Sequence, residues 1–315
     1  MVSPAPPTFP DWRIDSIMIR AFLPTALLTG LVSVAHAQGV MYEVTVLEPA
    51  PGFTGTSVRA INEQGTFVGN SVGPNPDDPD SNRFRGLLDR PRALTELAPL
   101  PGHVSSATTD VLRNQFAVGI SSDADFRPVP TYWLPSGAPR ALPLLEGHTT
   151  GNVQGANGLG LLVGASGDQP VLWRPDERAY RLPVPDGQTG GTAFAINDAG
   201  VIVGQAISPA GAVAMIIRNG EASVFNNGIG LLTDINSSGI VTGALSPGLI
   251  TPLFYDVESD ALAVAPLPVG AFAGALNGLN DDGIAVGFSL GAALGAYITD
   301  GTTATDLNTL LDPQT

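Results

Sequence analysis

The sequence predicts an all-β protein, a β-propeller of about six four-stranded blades. Two observations predict this class: the 315 residues include 38 Gly and 28 Pro, and one ten-residue motif recurs six times. Because Gly and Pro interrupt helices, their abundance favours short strands joined by tight turns. A hydrophobic content of 43% is too high for a disordered Gly/Pro-rich chain.

The repeated motif is typified by "AINDAGVIVG", residues 195–204. Its six copies end at Gly69, Gly119, Gly164, Gly204, Gly243 and Gly287. The copies therefore lie 39 to 50 residues apart, a spacing typical of propeller blades. It is too long and too variable for the rungs of a parallel β-helix.

Each part of the motif has a physical role. In five copies an Asn opens the turn and a Gly follows three residues later, which favours a hairpin closed by a left-handed glycine. The second copy has Leu112 and Gln115 at these places, so we expect its turn to be built differently. The next three residues are almost all apolar, which indicates a strand covered on both faces. The terminal Gly predicts a bulge or a close backbone approach.

Two further strands are predicted after each hairpin, which makes four per repeat. The third strands are predicted at 84–88, 131–134, 170–173, 214–218, 252–255 and 296–299. The fourth, Leu- and Pro-rich strands are predicted at 94–102, 141–147, 180–187, 222–228, 262–270 and 305–311. One similar segment, 42–52, is left over at the start. It closes the ring or belongs to a seventh, incomplete blade.

The motif "[A/G]-[I/L]-N-[D/E]-x-G-x-x-V-G", followed by aromatic strands such as "TYW" and "LW", resembles the HAF-type extracellular repeat of secreted bacterial proteins. The resemblance covers nearly all of residues 38–315. It departs in lacking the His-Ala-Phe triplet, whose place is taken by segments such as "TYW" and "AYI". It implies a secreted or cell-surface propeller-like protein without an agreed activity, and it supplies no catalytic residues.

The charge balance restricts the partners. The formal net charge is −15, and all 14 basic residues are Arg. Such an acidic surface repels phosphate backbones and anionic headgroups, so we expect no nucleic-acid partner. The chain contains no Cys, which excludes disulfides and thiolate chemistry.

One segment suggests a metal site. In the insertion 73–86, Asp78, Asp80 and Asn82 repeat the alternating oxygen donors that open calcium loops. The pattern departs at Arg83, where such loops carry Gly, and at Asp89, where they carry Glu. Three prolines suggest an extended, solvated loop. Calcium is therefore a weak candidate at these three residues, and we expect no other cofactor.

Two pairs of polar residues remain: two histidines, which we interpret as structural, and two aspartates, whose positions would test whether the protein is an enzyme. His103 and His148 follow equivalent Leu-Pro segments and are interpreted as loop residues, since two histidines alone do not make a three-ligand metal site. Asp110 and Asp234 occupy equivalent repeat positions, where other copies carry Ala60, Gly155, Ala195 and Gly278. Convergence of several carboxylates on the channel would favour an enzyme; a channel lined by Ala and Gly would not.

The favoured function is therefore an exported, non-enzymatic propeller that binds an extracellular or envelope ligand, either a glycan or a protein. The regularity of the sequence lies in turns and core, whereas the loops vary, as expected where loops carry recognition. A glycan- or lactone-active hydrolase and a structural envelope or matrix protein are the alternatives. We expect a monomer without a membrane span, located in the periplasm, at the cell surface or outside the cell.

The N-terminal region, 1–37, predicts a signal peptide. From Met18 a single Arg20 precedes an apolar run that ends in Ala35-His36-Ala37, a small-x-small cleavage pattern. The preceding stretch carries Asp11 and Asp15, which is unusual for a signal peptide and suggests that translation starts at Met18. Residues 38–315 then form a single propeller domain.

We predict that N-terminal sequencing of the exported protein finds Gln38 as the first residue, because signal peptidase cleaves after Ala37. Recovery of a mature protein that retains residues 1–37 would contradict the prediction.

Overall fold

The computed structural model describes residues 47–76, 78–90, 93–174, 178–209, 211–228, 230–246 and 250–310. Within them lie six four-stranded antiparallel sheets, each built from four consecutive strands. The sheets form a six-bladed β-propeller, as the sequence predicts. The first strands of neighbouring blades contact one another, which places them innermost.

The strand bounds of the first three blades show short outer strands. Blade 1 comprises β1 (Gly55–Ile61), β2 (Phe67–Asn75), β3 (Asp78–Arg90) and β4 (Ala93–Leu97). Blade 2 comprises β5 (Ser105–Val111), β6 (Ala117–Ser122), β7 (Pro128–Trp133) and β8 (Pro139–Ala141). Blade 3 comprises β9 (Gly151–Ala156), β10 (Leu162–Ser166), β11 (Gln169–Trp173) and β12 (Ala179–Arg181).

The last three blades follow the same plan, with two short 3₁₀ helices. Blade 4 comprises β13 (Gly190–Ile196), β14 (Ile202–Ser208), β15 (Gly211–Arg218) and β16 (Glu221–Val224), followed by a 3₁₀ helix at Asn226–Gly228. Blade 5 comprises β17 (Leu231–Ile235), β18 (Ile240–Leu245), β19 (Thr251–Asp256) and β20 (Ala261–Val264). Blade 6 comprises β21 (Ala273–Leu279), β22 (Ala285–Leu290), β23 (Leu294–Thr299) and β24 (Ala304–Asp306), followed by a 3₁₀ helix at Leu307–Leu310.

The core lies between blades. Five clusters of buried side chains are found in the described part of the chain, and each fills one junction between consecutive blades. The junction of blades 2 and 3, for example, is filled by Val118, Leu142, Val153 and Trp173. In blades 2 to 5, which share a cluster with each neighbour, the motif's apolar strand is covered on both faces, as predicted from its sequence.

The junction of blades 6 and 1 differs from the other five. None of the described core clusters spans it. Val58 and Ile61 on the face of β1 that turns away from blade 2 are 53% and 57% exposed, and Val286 of blade 6 is 44% exposed. The equivalent residues of Val58 in the next two blades, Thr108 and Val153, are 1% and 0% exposed.

The terminal glycine of each motif faces a β-bulge. The pairing of the first two strands shifts register at the same repeat position in all six blades. The bulge brings the first strand so close that a side chain on the glycine would overlap its backbone; at Gly204 the overlap is with the carbonyl oxygen of Thr192. The predicted close approach is confirmed, and it explains why the position is glycine.

The turn asparagines link blades as well as forming turns. Asn236 Oδ1 accepts hydrogen bonds from the N–H groups of Ser238 and Ile240 at 3.1 and 2.9 Å, which holds its own turn. Its Nδ2 donates to the carbonyl oxygen of Asn280 in the next blade at 3.2 Å. The same inter-blade bond runs from Asn62 to Leu112, from Asn157 to Asn197 and from Asn197 to Asn236. We call this series the asparagine ladder.

The second copy's turn is not built differently, so that prediction was wrong. Gln115 adopts the left-handed conformation with φ 63°, and its N–H donates to Leu112 O at 3.0 Å, as Gly65 N–H donates to Asn62 O at 2.9 Å. What changes is the side chain. The backbone carbonyl of Leu112 accepts the ladder bond from Asn62, but the leucine side chain has no amide group that could donate the next ladder bond to blade 3.

Two further expectations need correction. The segment 73–86 is not a solvated loop; it lengthens the β2–β3 hairpin, in which Pro74 pairs with Asn82. In each Leu-Pro segment the first residues alone form a strand, and the later residues belong to the connection that leaves the blade. In blade 2 the fourth strand is Pro139–Ala141, which precedes most of the predicted 141–147.

The leftover segment 42–52 is described from residue 47 onward. Ala50 N–H donates to Ser71 Oγ at 2.9 Å, as Leu100 N–H donates to Ser121 Oγ at 2.9 Å in the connection to blade 2. Residues 47–52 therefore form the same type of connection as those between blades. Whether residues 42–46 close the ring lies outside the described residues.

We predict that Gly204→Ala lowers the free energy of unfolding by about 1–3 kcal/mol or more, because the added Cβ overlaps backbone that cannot move aside. Urea denaturation measures the change. Gly278→Ala is the matched control, since its Cβ would lie 3.6 Å from Val286 Cγ2 and blades 1 and 4 already carry Ala there. Equal losses in the two variants would contradict this account of the glycine.

Candidate binding site at the interrupted asparagine ladder

A groove of about 320 Å³ lies between blades 2 and 3, where the ladder is interrupted at Leu112. Its lining comes from the β5–β6 turn, from the β9–β10 turn and from the strands beside them. The lining residues are Leu112, Asn114, Phe116, Val118, Tyr132, Leu142, Leu159, Gly160, Leu162 and Arg174.

The wall of the groove is apolar and partly aromatic. The rings of Phe116 and Tyr132 stack with centroids 6.2 Å apart and planes inclined by 20°. Val118 and Leu142 are buried beneath them, whereas Leu159 at the opposite turn is 59% exposed. A fixed pair of rings beside an exposed leucine offers a surface for an apolar or ring-shaped ligand group.

Two polar side chains of the described lining, Arg174 and Asn114, provide hydrogen-bond donors. The Arg174 guanidinium lies 4.8 Å from the centroid of the Tyr180 ring, and its side chain is exposed. Asn114 Oδ1 accepts from Phe116 N–H at 3.4 Å, which leaves its Nδ2 as a donor. Arg113 in the same turn is committed to an ion pair with Glu63 of blade 1. Among the residues that the structure describes, no carboxylate lines the groove.

The sequence did not predict this groove. The signal that could have found it is the failure of the second copy at Leu112, which was interpreted as a change of turn. The main consequence of Leu112 is the loss of a side-chain hydrogen bond to the neighbouring blade, because the backbone of the turn is the same as in the other copies.

Asp110 and Asp234 lie on the innermost strands of blades 2 and 5, on opposite sides of the six-bladed ring. Asp110 Oδ1 accepts from Val111 N–H at 2.7 Å, and its Oδ2 accepts from Ala156 N–H of blade 3 at 2.8 Å. Asp234 makes the same two contacts with Ile235 N–H and with Leu279 N–H of blade 6, both at 2.8 Å. Each carboxylate therefore links its blade to the next.

Both carboxyl groups have raised pKa values. Burial raises the pKa of Asp110 to about 7 and the pKa of Asp234 to about 6. The hydrogen bonds from backbone N–H groups act in the opposite direction and lower both pKa values. Repulsion from Asp234 adds to the rise of the pKa at Asp110, and repulsion from Asp281 adds to it at Asp234. The equivalent positions in the other blades are Ala or Gly, as predicted.

The calcium candidate stays a prediction. Asp78 and Asp80 belong to β3 by their backbone, but their side chains lie outside the described residues; Asn82 is exposed. Among the side chains that are described, no group of three or more His, Asp or Glu could hold a metal ion.

The two histidines occupy equivalent places. Each follows a left-handed glycine, and the N–H groups of His103 and His148 donate to Leu100 O and Leu145 O. His148 Nδ1 lies 3.1 Å from Ser166 Oγ, which also accepts from Leu145 N–H. Both are loop residues of the connections between blades, as interpreted from the sequence.

Comparison with known proteins gives likeness in structure but not in sequence. No family model and no curated protein matches the chain. TolB from Acinetobacter baumannii is similar with 13% identity and a TM-score of 0.48, over 77% of this chain and 63% of TolB. The β-propeller domain of the Trilobed protease from Pyrococcus furiosus has 11% identity and a TM-score of 0.44, over 83% of this chain and 100% of that domain.

A puromycin hydrolase has 14% identity and a TM-score of 0.48, over 81% of this chain and 46% of the hydrolase. The chain thus spans less than two thirds of TolB and about half of the hydrolase. At these identities the likeness concerns the fold. In the part of the chain that the structure describes, no helix is long and apolar enough to cross a membrane.

We predict that the free energy of unfolding falls as the pH rises from about 4 to about 7. The pKa values of Asp110 and Asp234 in the folded state lie above the value of about 3.9 for an unfolded Asp. The folded state therefore binds more protons in this window and loses stability as they dissociate.

Urea denaturation across this pH range tests the prediction. The difference in unfolding free energy between the parent protein and an Asp110→Asn, Asp234→Asn double variant should change across the window. For the exposed Asp282→Asn control the corresponding difference should stay constant. A constant difference for the double variant would contradict the assignment.

Proposed function

We propose that the protein is an exported, non-enzymatic binding module, and that the groove between blades 2 and 3 is its ligand site. The supporting observation is the position of the groove at the copy of the motif that lacks the Asn–Gly pair. A repeat protein that relaxes its rule at one junction, and places aromatic side chains there, has the arrangement expected of a functional site.

The size and lining of the groove support binding of a small ligand or of one side group of a larger one. About 320 Å³ lies at the lower end of the roughly 300–1,000 Å³ of small-molecule pockets. The described lining residues include no Ser, Thr, His, Asp or Glu, the side chains that most often act as nucleophile or general base. This composition favours binding over catalysis.

A glycan- or lactone-active hydrolase is less well supported. Its carboxylates would be Asp110 and Asp234, but each already accepts hydrogen bonds from two backbone N–H groups and joins two blades. Export rests on the signal-peptide pattern, so the ligand we propose is an extracellular or envelope molecule, such as a glycan or a protein side group. A purely structural role is the outcome to be expected if the groove binds nothing.

We predict that the neutral fluorescent probe N-phenyl-1-naphthylamine binds the protein saturably, and that Phe116→Ala weakens its affinity by about fivefold or more. The variant removes one of the two stacked rings that form the wall. A fluorescence titration measures the affinity, and the unfolding midpoint in urea confirms that each variant is folded.

Phe126→Ala is the matched control, because Phe126 is 46% exposed in the β6–β7 turn at the opposite end of blade 2. Its affinity for the probe should equal that of the parent protein. Probe binding that does not saturate, or that Phe116→Ala and Phe126→Ala affect equally, would contradict the groove as the site.

A further inference from the structure

We infer that the groove takes an apolar acid, that is, an aromatic or branched aliphatic group that carries a carboxylate, with the carboxylate on Arg174. The inference rests on the proposed function and names the ligand class for the same site. The ring or branched group would contact Phe116 and Leu159, and the acid group would lie at the side where Arg174 and Asn114 provide donors.

The local charge supports an anion. The chain has 29 acidic and 14 basic residues, so its surface as a whole repels anions. The described lining of the groove reverses this pattern, because it includes Arg174 and no Asp or Glu. A positive group beside an apolar wall, on an otherwise acidic protein, selects a ligand with both an apolar and an anionic part.

Arg174 has the geometry for the contact. Several arginines in the described part of the chain are engaged in ion pairs, such as Arg113 with Glu63, Arg127 with Asp125 and Arg218 with Glu258. Arg174 contacts no carboxylate among the described residues; its guanidinium lies over the Tyr180 ring instead. A guanidinium placed over a ring keeps its in-plane N–H groups for a carboxylate, which it can bind in a bidentate manner.

Asn114 supplies a second donor. Its Oδ1 is engaged by Phe116 N–H, so the Nδ2 group is the side of the amide that a ligand meets as a donor. The equivalent positions in blades 1 and 4 are Gln64 and Ala199. The described lining of the groove therefore includes the donors Arg174 and Asn114 and no side-chain carboxylate to compete with a bound acid.

The test compares 3-phenylpropionate with 3-phenylpropan-1-ol, two ligands that share the ring and chain and differ in the charged group. Isothermal titration calorimetry should give an affinity about three- to fivefold higher for the carboxylate, the effect of one exposed ion pair. Arg174→Gln should abolish this preference, while saturable binding of neutral N-phenyl-1-naphthylamine shows that the groove of the variant is still formed. Arg127→Gln, at the opposite end of blade 2, should keep the preference.

The outcomes separate the two proposals. If the neutral probe binds in the groove but the alcohol binds as tightly as the carboxylate, the ligand class is overturned and the binding site stands. If the carboxylate preference persists in Arg174→Gln, the assignment to Arg174 is overturned. If neither the neutral probe nor the two phenylpropyl ligands bind, the proposed function fails, and this inference fails with it.

Discussion

The ring depends on the asparagine side chain of the turn, which forms hydrogen bonds both within its own blade and to the next blade. Four turn asparagines, Asn62, Asn157, Asn197 and Asn236, accept hydrogen bonds from their own turns through Oδ1 and donate to the next blade through Nδ2. The same amide thus sets the local backbone and the spacing of blades. Because the two functions share one side chain, a substitution that keeps the turn can still separate the blades. This is the situation at Leu112.

At the junction of blades 2 and 3, where the ladder is interrupted at Leu112, packing and other hydrogen bonds replace the ladder bond. The junction of blades 2 and 3 is filled by side chains such as Val153 and Trp173, and the Trp173 indole N–H donates to Pro143 O at 2.7 Å. Deeper in the same junction, Asp110 bonds to Ala156 N–H. These contacts hold the inner and middle strands together while the turns above them are not joined by an amide. The groove is the space that results.

The features that the sequence predicted are those that local backbone chemistry determines. Three such features are the left-handed glycines, the bulges opposite Gly204 and its equivalents, and the strands covered on both faces. Each follows from the backbone conformations and side-chain sizes that a short motif allows. The left-handed Gln115 was missed because the surrounding hairpin imposes a conformation that its side chain does not favour. The groove and the bonds of Asp110 and Asp234 were missed because they require residues of two blades, about 45 residues apart in sequence, to be placed side by side.

Among the described residues, the junction of blades 6 and 1 is less well covered than the other five junctions. Val58, Ile61 and Val286 are open where their equivalents elsewhere are covered. In the part of the chain that the structure describes, blades 1 and 6 each share a core cluster with one neighbouring blade, whereas each other blade shares clusters with two. In an array of this kind we expect the units with one packed interface to open first. The groove between blades 2 and 3 lies one blade inward from such a unit, where both of its walls have a packed neighbour on each side.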